Sequence, residues 1–310
     1  VFIVDVSRPF GSTPMSRKEW AAGLFLALTV VSSAAAFLAG PLVPWAPFRI
    51  GYTEYRSVKA VLIMPSTTLP PVPLDRLDAL IGEVEAQTGL WLESPVRIVV
   101  AGSWGLFNRG ALLGLSSSVG EHTGRTLPTG TVVYLSPLAS QPGQEAANAL
   151  KHEITHAVLF QQMSLARSMA FAKLEWLSEG LAAYIATGSL GGWEVEWSRM
   201  AIAEAYLYPV TRDAGFEAIT EADRSRFVRE TRRQFVRYLM TRYGADAFYL
   251  FLDRVLAEPD QQAAAFRDTF GVTPDEADAA FMREVEAGTW PFQALAFPAP
   301  AFPAPAGFLP

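Results

Sequence analysis

The chain has 310 residues, 50% of them hydrophobic, with a formal net charge of −6 and a pI near 5.2. That is enough apolar material for one sizeable domain or two lobes, and without a basic, aromatic-interleaved patch nucleic acid is not an expected partner. No cysteine is present, which excludes disulfides, thiolate metal ligands and thiol catalysis but is compatible with either side of a membrane.

Residues 1–19 form an N-terminal segment in which Met15-Ser16-Arg17-Lys18 has the form of a short positive n-region, so Met15 is the expected translation start and 1–14 receive no role. The run from Trp20 to Ala39 has no charge. With Arg17 and Lys18 ahead of it, 20–40 reads as a signal peptide, with Ala34-Ala35-Ala36 as cleavage site, or as an uncleaved single-pass membrane anchor. Both place the rest of the chain outside the cytoplasm, in the cell envelope or secreted; a buried core helix is the plainer alternative. Residues 41–49, bounded by Pro41 and Pro47 in their proline-rich part, read as a linker.

The main domain is expected over 50–290, with lobes of about 50–164 and 165–290. Runs 58–64 and 96–101 read as strands with an amphipathic helix, 74–88, between them, and 131–135 as a third strand. His122 sits in a glycine-rich stretch, 120–124, and reads as a solvated surface residue. Alanines and leucines on both sides of a polar centre predict a helix over 145–163 that is too polar at 151–155 to span a membrane. A loop over 164–173 leads into a helical remainder up to about Ala287. Within it, Thr273-Pro274-Asp275-Glu276 is a helix start with Thr as N-cap, Pro at N1 and Glu at N3. Residues 291–310 form an uncharged Pro/Ala-rich tail, expected to be extended or disordered.

The chemistry concentrates at His152-Glu153-Ile154-Thr155-His156. This H-E-x-x-H spacing puts two imidazoles one helical turn apart, able to share one tetrahedral Zn²⁺, with a carboxylate between them that can serve a water as general base. The chain has only three histidines, so an accidental amphipathic match is the weaker reading. A catalytic zinc needs a third protein ligand. Glu175 and Glu179, on one face of the helical run Glu175-Trp176-Leu177-Ser178-Glu179-Gly180, are the candidates, with a solvated helix face as the bland alternative. Donors to a developing oxyanion are sought among Tyr184 and the side chains of a long helix over 223–243: Arg229, Arg232, Arg233, Tyr238 and Tyr243.

HEITH followed by Trp176-Leu177-Ser178-Glu179-Gly180 resembles the gluzincin zinc metallopeptidases, which include thermolysin-like and aminopeptidase N-like enzymes. The resemblance implies an α+β, zincin-like catalytic domain: a small mixed sheet and the motif helix in the N-terminal lobe, and a mostly helical C-terminal lobe. It implies one Zn²⁺ held by His152, His156 and Glu179, Glu153 as general base, and a peptide or protein as substrate. It further implies that the last strand before the motif helix is a sheet edge beside the cleft. Gly130, Thr131 and Val132 would there contact a substrate backbone by strand addition, with plain sheet packing as the alternative. Three features depart from the family pattern. The 22 residues between His156 and Glu179 make a longer gap than is usual, the glycine-methionine-glutamate-asparagine exopeptidase motif is absent, and Ala183 stands where thermolysin-like enzymes carry an acidic residue. Two other functions compete: an inactive module binding peptide or envelope protein, and a zinc hydrolase of non-peptide amides. Oligomeric state has no signal in the sequence.

Overall fold

The computed structural model describes residues 17–39, 44, 50–110, 124–140, 143–187 and 221–291, and the chain divides into two units, Val1–Ile50 and Gly51–Pro310. The first unit carries helix α1, Arg17–Ala39, with its side chains exposed over 20–33. Among the described residues no helix is long and apolar enough to cross a membrane. The tail, His122 and most of the linker lie outside the described residues.

The second unit is mixed α and β. Five strands, β1 (Tyr52–Arg56), β2 (Ala60–Pro65), β3 (Val96–Val100), β4 (Gly124–Thr126) and β5 (Val132–Leu135), form one sheet in the order β1-β2-β3-β5-β4. β2, β3 and β5 run parallel, and β1 and β4 close the two edges antiparallel. The parallel step from β2 to β3 requires a crossover, supplied by helix α2 (Leu77–Thr88), which ends at Gly89 in the left-handed conformation. Alternation along the strands sends Val96, Ile98, Val100, Val133 and Leu135 into one core. Leu150, Ile154, Ala157 and Val158 of the motif helix, α4 (Gln144–Gln161), belong to that same core.

The sheet edge differs from expectation. β5 is not an open edge, because β4 pairs with it on the side away from β3, with Gly124 opposite Leu135 and Thr126 opposite Val133. Gly130, Thr131 and Val132 each have main-chain groups already bonded within the fold. Gly130 N–H donates to Leu127 O at 2.8 Å and Val132 O accepts from Leu127 N–H at 2.9 Å. Thr131 O accepts from Arg97 N–H at 2.9 Å, and Gly130 O accepts from the buried Gln161 side chain, also at 2.9 Å. Gly130 has φ +67° and a Cβ there would stand 2.5 Å from Ala157 O, so this turn is pressed onto α4 and serves packing.

A short helix, α3 (Trp104–Gly110), follows β3. The expected loop over 164–173 is instead mostly helix α5 (Leu165–Ala172), anchored by the fully buried Phe171 and by Ser168, whose hydroxyl reaches Phe160 O and Ser164 O. The remaining α-helices among the described residues are α6 (Glu175–Thr187), α7 (Glu221–Tyr243), α8 (Ala245–Ala257), α9 (Gln262–Phe270) and α10 (Pro274–Glu286). Trp176 of α6 packs against Phe235, Phe251 and Phe266 of α7, α8 and α9. At Gly180 a Cβ would stand 2.7 Å from Arg232 O and 2.9 Å from Val236 Cγ2, so α7 packs directly on the α6 main chain there. The expected start of α10 forms as a capping box between Thr273 and Glu276 with Pro274 in the first turn.

Candidate metal centre

Helix α4 is Ala-rich in its first turns, and its apolar stripe, Leu150, Ile154, Ala157 and Val158, lies on the sheet. That fixes the rotation of the helix and leaves His152 and His156 together on another face. Their Nε2 atoms are 3.2 Å apart, as one-turn spacing allows. Helix α6, held by Trp176 and Leu177 in the core, brings Glu179 to the same point. Glu179 Oε2 lies 3.1 Å from His152 Nε2, and its Oε1 lies 3.3 Å from His156 Nε2. The ligating atoms of these three residues all fall within 4.8 Å of one another.

The arrangement fits zinc. A tetrahedral ion with bonds of about 2.0–2.1 Å places its ligand atoms about 3.3 Å from each other; the two imidazole nitrogens stand 3.2 Å apart, and each is met by a different Glu179 oxygen, at 3.1 and 3.3 Å. Two imidazole nitrogens and a carboxylate are also a zinc donor set of the catalytic type, which leaves a fourth position open. Electrostatics support the same grouping. Burial opposes ionisation of Glu179, but the charge of His156 and hydrogen bonds from both imidazoles hold its carboxyl well below the usual range. Burial likewise works against protonation of His156, and the Glu179 charge outweighs it and raises the imidazole pKa. His156 is stacked on Phe160 with ring centroids 5.8 Å apart; its Nδ1 is buried with no hydrogen-bond partner among the described residues.

Glu153, between the two histidines, is 5% exposed. Burial raises its pKa, against the lowering influence of His152, His156 and the Thr126 hydroxyl. Thr126 of β4 donates to Glu153 Oε2 at 2.8 Å and approaches the main-chain oxygen of Glu153 at 2.9 Å. Gly124, two residues earlier on the same strand face, packs directly on the Glu153 side chain. Arg125, between them, sets its guanidinium 5.3 Å from the Phe107 ring centroid.

The other expected site residues are not ligands in this cluster. Glu175 forms an ion pair with Arg232 at 2.8 Å and is not part of the cluster. Arg233 pairs with Glu230 at 3.1 Å, Tyr238 packs among Phe235, Phe281 and Trp290, and Tyr243 packs on Phe270. Tyr184 is half-buried and its hydroxyl pKa is pushed up to about 12 by burial. The Arg229 side chain lies outside the described residues. Sequence reading missed Thr126 and Gly124. Leu127-Pro128-Thr129-Gly130 is a turn signal, and the residues ahead of it were the place to look for a strand pairing with β5.

No family model matches the chain, and no curated protein sequence matches it. Among solved structures it is similar to a two-domain M1 zinc metallopeptidase mutant bound to L-tryptophan, at 16% identity and a TM-score of 0.46, covering 80% of this chain and 54% of that one. It is also similar to M1 zinc metallopeptidase from Deinococcus radiodurans, at 17% identity and a TM-score of 0.42, covering 81% and 54%. A mutant of the enzyme from that organism bound to a Tyr-Ser-Ala substrate matches at 15% identity and a TM-score of 0.46, covering 80% and 53%. The chain thus spans about half the length of the solved structures it matches.

Proposed function

We propose that this protein is a zinc-dependent peptidase in which His152, His156 and Glu179 hold the metal and Glu153 is the general base. One observation carries the reading: three ligating atoms converge within 4.8 Å beside a buried carboxylate that is held against a sheet-edge strand. Bound there, zinc would supply Lewis acidity, acidifying water and polarising a substrate carbonyl. His152 and His156 would hold it through Nε2, and Glu179 would add a carboxylate oxygen. Glu153, in a low-dielectric pocket, takes the proton of the attacking water and returns it to the departing amine.

Strand β4 supplies the substrate side. Leu127 N–H bonds Val132 O, so along this antiparallel pair Arg125 is the next residue to bond β5, and Gly124 and Thr126 direct their main-chain groups to the outer edge. An extended peptide added there would run past Glu153. This reading transfers the edge role from Gly130, Thr131 and Val132 to β4.

The test is to incubate the zinc-loaded protein with a diverse peptide mixture and identify products by mass spectrometry, with Glu153→Gln alongside. Fragments are expected from the unsubstituted protein only, since a general base contributes about 10²–10⁴-fold. No fragments despite bound zinc would overturn the peptidase reading and leave a peptide-binding module or a hydrolase of other amides. Equal turnover by Glu153→Gln would remove Glu153 from the mechanism.

A further inference from the structure

We infer that strand β4 is the template that aims Glu153, with Thr126 as its positioning residue and Gly124 kept free of a side chain to make room for the carboxylate. The inference rests on the reading of Glu153 as the base. Thr126 touches Glu153 at both ends: its hydroxyl lies 2.8 Å from Oε2 and 2.9 Å from the main-chain oxygen. A hydroxyl has one hydrogen to share between them, so it ties the carboxylate to the backbone of its own residue. A glutamate side chain otherwise has several staggered rotamers to choose among.

Gly124 completes the seat. A Cβ there would stand 2.4 Å from Glu153 Cγ and 2.8 Å from Cδ and Oε1, distances that real Cβ contacts do not reach. The backbone gives no other reason for glycine, since Gly124 is not among the residues in the left-handed region. Both residues face α4 because they are two apart on one strand, and the pairing of Gly124 with Leu135 and of Thr126 with Val133 fixes their register. The carboxylate therefore lies between a donor and a gap, two features of one three-residue strand.

The experiment compares Thr126→Val, Thr126→Ser and Gly124→Ala in the full chain, with zinc content measured for each. Thr126→Val and Gly124→Ala are expected to lower kcat by about 10–100-fold, the usual cost of losing a residue that orients a working group, while zinc content stays unchanged. Thr126→Ser restores the donor and should recover most of the kcat lost in Thr126→Val. A kcat for Thr126→Val equal to that of the unsubstituted protein overturns the inference. So does Thr126→Ser falling as far as Thr126→Val, which would assign Thr126 to packing alone. Crystal structures of the unsubstituted protein and Thr126→Val give a readout free of activity: the Glu153 carboxylate should sit on Thr126 in the first and be displaced in the second. If the unsubstituted protein cleaves no peptide, the peptidase reading fails on its own, and an undisplaced carboxylate in Thr126→Val would then overturn this inference independently.

Discussion

Glu175 and Glu179 are separated by one helical turn yet have different partners, and their difference is testable. Glu179 meets both imidazoles, while Glu175, 56% exposed, meets Arg232. Glu179→Ala should weaken zinc binding by at least the ~10–100-fold that loss of an outer supporting partner costs, as read by competition with a chelating dye. Glu175→Ala should leave the affinity unchanged and cost at most about 1 kcal/mol, as exposed ion pairs do. Equal zinc affinity in the two variants would remove Glu179 from the ligand set. The two histidines and Glu153 were legible because helix periodicity alone brings positions 152 and 156 together. The choice between the two glutamates came from resemblance, since either could face α4 until the rotation of α6 is known. Thr126 was not legible, because a contact across 27 residues of sequence depends on where a strand lands on a helix.

Among the elements, α10 shows how local rules reach the structure intact. Thr273 accepts from Glu276 N–H at 3.2 Å, and Glu276 accepts from Thr273 N–H at 2.7 Å. Thr273→Ala should therefore cost about 1 kcal/mol in chemical denaturation at neutral pH. The hydrogen bonds from Thr273 lower the pKa of Glu276 below 4.5. A carboxyl depressed in the folded state contributes stability that is present above its unfolded pKa and is lost as pH falls through the folded value. The difference between Glu276→Gln and the unsubstituted protein should accordingly shrink below pH 4.5; a gap that stays constant into acid would detach the Glu276 carboxylate from the cap. The strands read from hydrophobic runs, β2, β3 and β5, were equally local. β1 and β4 were not, because Tyr-Thr-Glu-Tyr-Arg and Gly-Arg-Thr carry little burial signal and become strands by pairing with a neighbour. The helix α5 replaced an expected loop because Phe171 finds a buried site that only tertiary packing creates.

At the scale of the whole molecule, the proposed zinc ligands join two helices that belong to different surroundings, α4 on the sheet and α6 among the helices that follow. Binding to the folded state alone stabilises by about 4 kcal/mol at a thousandfold excess over Kd, and a domain of this size gains about 2–4 °C of Tm per kcal/mol. Chelation of the loaded protein should thus lower Tm by roughly 8–16 °C by the same relations, and added zinc should restore it. A Tm indifferent to zinc would mean that the three ligands bind no ion in the folded protein. The mixed α and β class was readable from the order of segments, whereas the order of strands in the sheet was not, because β4 inserts itself beside β5 through a turn whose role depends on Ala157 and Gln161 beneath it.

The contact at Gly180 also reaches the site through the backbone. Arg232 O of α7 stands where it would crowd a Cβ at 180, and Trp176 of the same helix as Gly180 is packed among three aromatic rings. A side chain added at 180 would have to push α6 away from α7, and Glu179, the residue before it, would be carried along. The glycine thus helps set how far the proposed zinc ligand extends toward α4.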